Sequence, residues 1–114
     1  MRVILDTNFL IECVKRHIDI DSEFAGDDVY TLDSVVKELD KIGSGKTKDA
    51  KYARVAKAKP LRTLEAKERS TDSALVAYAG RSYAIATHDK LLRVKIIQKS
   101  GKVVYLRKGH VVRE

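Results

Sequence analysis

The chain has one cysteine, one proline, no tryptophan and no long apolar run among its 114 residues. With Cys13 alone, neither a disulfide framework nor a thiolate zinc site can be assembled, and a reducing compartment, the cytoplasm, is the expectation. No apolar stretch approaches the ~18 residues of a membrane span, and Val3-Ile4-Leu5 is broken at once by Asp6. Neither a membrane partner nor a signal-peptide core is therefore expected. His17, His88 and His110 show no H-x-H or H-E-x-x-H spacing, which argues against a histidine-bound zinc. A G-x-S-x-G elbow is missing, and Cys13 falls on an apolar helical arc, a core position rather than a nucleophile.

What is abundant is charge. Charged residues make up 34% of the chain and hydrophobic ones 44%, enough for one packed core under an ionised surface, and the length predicts a single domain over residues 1–114. The net charge is +7, unevenly spread: residues 1–45 carry 5 basic and 10 acidic side chains, residues 46–114 carry 18 and 6. A basic field of this size favours polyanions such as nucleic acid.

Short β-branched runs alternate with helical patterns. Arg2–Leu5, Val29–Leu32, Tyr83–Thr87 and Val103–Leu106 read as strands. Between them, Phe9, Leu10, Cys13, Val14 and His17 share one helical arc, with Thr7 or Asn8 available as N-cap. Asp33 or Ser34 can cap a helix carrying Val35, Val36, Leu39 and Ile42, closed by Gly43. Residues 47–59 place Tyr52, Ala53, Val55 and Ala56 on one side and lysines on the other, before Pro60 stops the helix. A helix over Asp72–Ala79 and a weaker one from Lys90 to about Lys99 follow. Segment 60–69 is ambiguous, and 103–106 with 110–113 form either a terminal strand or a hairpin. The alternation predicts a three-layer α/β/α sandwich around a mainly parallel sheet of about five strands.

Gly43-Ser-Gly-Lys-Thr47 imitates the end of a phosphate-binding loop, but that motif needs glycine where Asp40 stands and a strand where a helix is read. The segment is a helix end with a lysine-bearing turn. The chemistry lies with the carboxylates. In an open α/β sheet, ligands bind at the carboxyl ends of the strands; Asp6 directly follows the first strand and Asp89 closely follows the Tyr83 strand. Asp72 opens a helix on the arc of its apolar stripe. Glu38 and Asp40 flank the two edges of another stripe, and periodicity does not choose between them. Asp72 and Asp89 also stand where helix caps stand, so each alone reads first as a cap. Jointly, acids converging on one sheet edge repel one another unless a cation neutralises them, and hard oxygen ligands suit Mg²⁺ or Mn²⁺.

Leu5-Asp6-Thr7-Asn8-Phe9-Leu10, Val35-Val36-Lys37-Glu38-Leu39, Thr71-Asp72-Ser73-Ala74-Leu75 and Ala86-Thr87-His88-Asp89-Lys90-Leu91-Leu92 resemble, in order, the acidic motifs of PIN-domain ribonucleases. The resemblance implies that Asp6, Glu38, Asp72 and Asp89 are the catalytic, metal-binding acids for one or two Mg²⁺ or Mn²⁺ ions, with Asn8 and Thr87 as polar supports. His88 replaces the asparagine common before the last acid. It also implies a metal-dependent endoribonuclease with a PIN-like fold, and a homodimer as its expected assembly. The Asp-Thr-Asn-Phe-Leu opening, the Asp19-Ile20-Asp21 stretch, the Gly-Ser-Gly-Lys-Thr-Lys-Asp insert and the Val-Val-Tyr-Leu-Arg ending look most like archaeal single-domain proteins of rRNA processing. VapC-type toxins, which act with an antitoxin partner, share the four acids, and an RNA-binding domain without catalysis is the third alternative. The expected substrate is RNA, single-stranded or ribosomal. Lys46, Lys48, Lys51, Arg54, Lys90 and Arg93 are the expected phosphate contacts. Tyr52 and Tyr105 lie at core positions rather than as base-stacking platforms.

Overall fold

The computed structural model describes residues 1–114. Strand β1 (Arg2–Leu5) leads into helices α1 (Thr7–Lys15) and α2 (Ile20–Glu23), then β2 (Asp28–Leu32), α3 (Asp33–Gly43), α4 (Ala50–Ala58) and β3 (Arg62–Leu64). The chain then returns through α5 (Thr71–Ala79) to β4 (Ala84–Ala86), α6 (Lys90–Gln98), β5 (Lys102–Arg107) and β6 (His110–Arg113). The strands form one six-stranded sheet in the order β3-β2-β1-β4-β5-β6, parallel except for β6, which runs antiparallel to β5. Segment 60–69 thus supplies a third strand, and the C-terminal residues form a hairpin. Its two-residue turn places Lys108 and Gly109 at φ 51° and 77°, the left-handed pair that matches strand twist in tight hairpins.

From β1 the chain winds to β2 and β3 on one side, then crosses back to β4 and β5 on the other. Right-handed crossovers place α1, α3 and α4 on one face and α5 and α6 on the opposite one. The central strands are covered on both faces: Val3, Ile4, Leu5, Ala84, Ile85 and Ala86 are fully buried. The reversal of strand order falls between β1 and β4, so a crevice opens beyond their carboxyl ends, after Leu5 and Ala86. No helix is long and apolar enough to cross a membrane.

Several local expectations are corrected. The N-cap of α1 is Asp6, not Thr7 or Asn8. His17 leaves the helical arc: α1 ends at Lys15, and His17 takes a left-handed turn at φ 54°. Asp33 lies inside α3 rather than capping it, and its Oδ1 accepts from the backbone of both Ser34 and Ala66, tying α3 to the chain after β3. Helix α4 buries Ala50, Ala53 and Ala56, a three-residue spacing of small side chains that lets it lie close to α1 and α3, while Val55 turns outward. The turn after Gly43 is a helix end, with Ser44 N–H bonded to Asp40 O and Gly45 N–H to Ile42 O. Cys13 is buried in the core, where desolvation pushes its thiol up to about 12.

Gly101 marks the tightest approach between α6 and β5. A Cβ there would meet Ile96 Cγ2 at 2.5 Å and Ala79 Cβ at 3.3 Å, and Ile96 is fully buried and β-branched. Gly101→Ala is expected to destabilise the protein by about 1–3 kcal/mol through overpacking, read as a lower urea midpoint with an unchanged m-value.

Candidate metal centre

Asp6 leaves β1 where the sheet changes direction. Its backbone N–H donates to Ala86 O at 2.9 Å, joining the ends of β1 and β4, and its C=O accepts the first turn of α1 from Leu10 N–H. Oδ1 accepts from Thr7 N–H at 2.8 Å and Oδ2 from Thr87 Oγ1 at 2.9 Å. Thr87 is itself fully buried and pinned to β5 by its N–H bond to Val104 O. Only 6% of Asp6 is exposed, and no lysine or arginine reaches it.

The neighbouring acids arrive on three different helices. Glu38, on α3, is held from both sides: Thr7 Oγ1 donates to Oε2 at 2.7 Å and Thr71 Oγ1 donates to Oε1 at 2.8 Å. Ser34 Oγ lies 2.9 Å from the same Thr71 hydroxyl. Asp72 stands exposed in the first turn of α5. Asp89 caps α6, its Oδ1 accepting from Leu91 and Leu92 N–H, and its own N–H bonds to Thr87 Oγ1 at 3.2 Å. Thr87 therefore links Asp6 to Asp89. Asn8 Oδ1 accepts from His88 N–H at 3.2 Å, steadying the turn that carries Asp89 rather than touching the acids.

The structure separates Glu38 from Asp40, which the helical period left equivalent: Asp40 is ion-paired to Lys57 at 2.6 Å on the outer surface. Glu12, Asp21, Asp27, Asp28 and Asp49 are also paired with cations; Asp6, Glu38, Asp72 and Asp89 are not, and unlike the other unpaired acids they gather at one end of the sheet. Burial pushes the Asp6 carboxyl up to about 6, against the pull of the Thr7 amide and the Thr87 hydroxyl; the charges of Glu38 and Asp72 add to the rise. Three helix N-termini meet here, which offsets part of the repulsion.

As the side chains stand, no three His, Cys, Asp or Glu residues surround a single point closely enough to ligate one ion. The donors are nonetheless hard oxygens, the Thr-bonded carboxylates keep lone pairs free, and Mg²⁺ is ordinarily held by one or two carboxylates with the rest of its shell water. The donor chemistry fits a hydrated Mg²⁺ or Mn²⁺, which Asp6, Glu38, Asp72 and Asp89 would hold. His88 takes no part: its ring stacks on Phe9 at 5.6 Å, and burial lowers its pKa.

The expected phosphate contacts scatter. Lys46, Lys48, Lys51 and Arg54 line a groove of about 680 Å³ together with Lys15 and Tyr52, at the far end of α1 from Asp6 and so about 13 Å along that helix. Arg54 is occupied there, donating to Gly43 O at 2.7 Å. Arg93 lies over the Tyr105 ring at 4.5 Å, and Lys90 is exposed beside Asp89. Tyr52 and Tyr105 are both half-buried. Sequence reading missed Thr7, Thr71 and Ser34, the hydroxyls that orient Glu38; the signal was adjacency, since Thr7 and Thr71 stand next to Asp6 and Asp72 inside the quoted motifs.

The strain on Asp6 has a measurable sign. Because its folded pKa is raised, the group's contribution to stability is fully present below the ordinary carboxylate range and is lost as pH rises through about 6. Asp6→Asn, which preserves the helix cap, is expected to raise stability by about 1–3 kcal/mol at pH 7 and by little at pH 4. Urea unfolding at both pH values checks this; a variant no more stable than wild type at pH 7 would show that the carboxylate is not strained.

Comparison with known proteins bears on the family and the fold. The family described as PIN like domain matches residues 3–109. No curated protein sequence matches the chain. Among solved structures 17 chains match, one of them titled "Structure of the PIN domain endonuclease Utp24". That structure superposes with a TM-score of 0.80 at 24% identity, covering 99% of this chain and 90% of its own, and so shares the fold. With the family matched over nearly its whole length, and with the four motif acids carried to one end of the sheet by β1, α3, α5 and α6, this chain belongs to the PIN-like domain family.

Proposed function

We propose that the protein is a divalent-metal-dependent endoribonuclease that hydrolyses RNA phosphodiester bonds, with Asp6, Glu38, Asp72 and Asp89 as its metal-binding acids. The observation that carries this reading is that four carboxylates in a chain of net charge +7 stand at the strand-order switch without a single cationic partner, one of them buried. Carboxylates arranged as caps alone gain nothing from that proximity, and their mutual repulsion costs stability. A divalent ion bound there would neutralise charge developing on the scissile phosphate and acidify the attacking water.

The chain's own residues hold that arrangement. Thr87 fixes the orientation of the Asp6 carboxylate, and Thr7 and Thr71 fix both oxygens of Glu38. Being neutral donors, these hydroxyls orient the acids without cancelling their charge. Lys90, at the rim beside Asp89, meets the phosphates that flank the cut, and Lys46, Lys48 and Lys51 meet RNA one helix length away. Among PIN-like proteins, the opening motif, the Gly-Ser-Gly-Lys insert and the Val-Val-Tyr-Leu-Arg ending favour a role in rRNA processing, in the cytoplasm.

The test is cleavage of a labelled, partly single-stranded RNA by the purified protein with Mn²⁺ or Mg²⁺. Cutting is expected to disappear with EDTA and in Asp6→Asn and Glu38→Gln, and to fall about 10- to 100-fold in Thr87→Val, which loses the hydroxyl that orients Asp6 and accepts from the Asp89 N–H. Mn²⁺ should also raise the melting temperature of the wild type but not of Asp6→Asn. A wild type that binds RNA yet cuts it with neither ion would overturn the enzyme in favour of an RNA-binding domain.

A further inference from the structure

Helices α5 and α6 pack side by side on one face of the sheet, and between them runs a groove of about 440 Å³ lined by Asp72, Ser73, Val76, Ala77, Leu92, Lys95 and Lys99. Both helices begin at the carboxylate end of the sheet, Asp72 in the first turn of α5 and Asp89 as the cap of α6. One end of the groove is therefore an acid of the candidate metal centre. The other end is basic. Lys95 in the last turn of α6 and Lys99, its C-cap, stand four residues apart, about 6 Å along the helix axis.

Both lysines are exposed and, like most lysines of the chain, neither has an ion-pair partner, so both charges are available to a ligand in the groove. Like charges at this spacing repel, and the segment 90–108 contains no acidic residue to relieve them. The carbonyl end of α6 attracts cations, which accounts for a lysine near that end but not for two facing an open groove. The floor is Val76, Ala77 and Leu92, with no aromatic ring on which a base could stack. A ligand here is held through its backbone charge.

We infer that the α5–α6 groove is the track for the RNA strand leaving the scissile phosphate, with Lys95 and Lys99 binding successive phosphates beyond the acid at Asp72. This rests on the nuclease reading above and adds to it the path of the strand and two positioning residues. The acid at one end and the lysines at the other orient the polyanion, since a phosphate is repelled at Asp72 unless a cation is present and is attracted about two and three turns along from the start of α6. With no stacking platform, the groove binds without base preference.

The experiment measures anisotropy of a fluorescein-labelled single-stranded oligouridylate of about 12 nucleotides with the Asp6→Asn protein, so that binding is read without cutting. Adding Lys95→Gln and Lys99→Gln is expected to weaken binding about 10-fold at moderate salt and to lower the slope of log K against log salt by about 1.4, two phosphates' worth for a single strand. Lys95→Arg with Lys99→Arg should retain both affinity and slope, and a melting curve for each variant separates lost binding from lost folding. Unchanged affinity and slope in a folded glutamine variant would overturn the groove. The two readings fail separately: a wild type that cuts RNA while the glutamine variant binds normally keeps the nuclease and removes the track. A wild type that cuts nothing while binding depends on the two lysines keeps the track and removes the nuclease.

Discussion

The carboxyl end of the sheet is organised by one buried carboxylate. Asp6 closes β1 onto β4 through its backbone, starts α1 as its N-cap, and takes the Thr87 hydroxyl with its second oxygen. A neutral cap residue would serve the first helix as well. Burying a charged one is tolerated because the amide at the α1 terminus and the Thr87 hydroxyl replace part of the lost water, and because the surrounding core of β1, β4 and β5 fixes those donors in place. The incomplete compensation shows in the direction of its pKa, and it is the kind of local cost that sites accept when a ligand will later supply the missing charge.

The same logic explains why threonine recurs around the site. Thr7, Thr71 and Thr87 each place one hydroxyl proton on a carboxylate oxygen, and Thr31 Oγ1 spends its own on Leu5 O just before Asp6. A lysine or arginine in any of these places would orient the acid and also neutralise it, with a pKa pulled down and no demand left for a metal. β-Branched threonine is stiff at χ1, so its donor stays aimed. On the outer surface some acids are neutralised instead: Asp40, Asp49 and Asp21 sit against lysines.

Much of this was legible in the sequence. Buried parallel strands announce themselves as short β-branched runs, so the layered α/β architecture could be read from the sequence, whereas position alone gave Asp72 and Asp89 as helix caps and the motif resemblance was needed to group them with Asp6. Glu38 could not be separated from Asp40 by helical period, because period defines a stripe and both residues border it; the choice is made by what lies opposite each edge, Thr7 and Thr71 for one and Lys57 for the other. Val55 and the alanines of α4 show the same limit. Hydrophobic identity favoured Val55, but close helix packing rewards small side chains, and Ala50, Ala53 and Ala56 took the buried face. The lysines were the least legible. A basic segment says that a polyanion is welcome, while which lysine faces which groove depends on where each helix begins and ends relative to the sheet.

That placement connects charge to selectivity in the nuclease reading. The field of a +7 chain draws in any polyanion over several ångströms, yet the carboxylates at the sheet's end repel the one phosphate that would be cut. Attraction at the lysines and repulsion at the acids are both screened by salt at the surface, but the repulsion at Asp6 is screened less because that carboxylate is buried. On that reading, the protein without a divalent ion would hold RNA away from its own centre, and with one the centre would become the most favourable place for a phosphate. Metal dependence of cutting and metal dependence of where the strand lies are, on this account, one electrostatic effect rather than two.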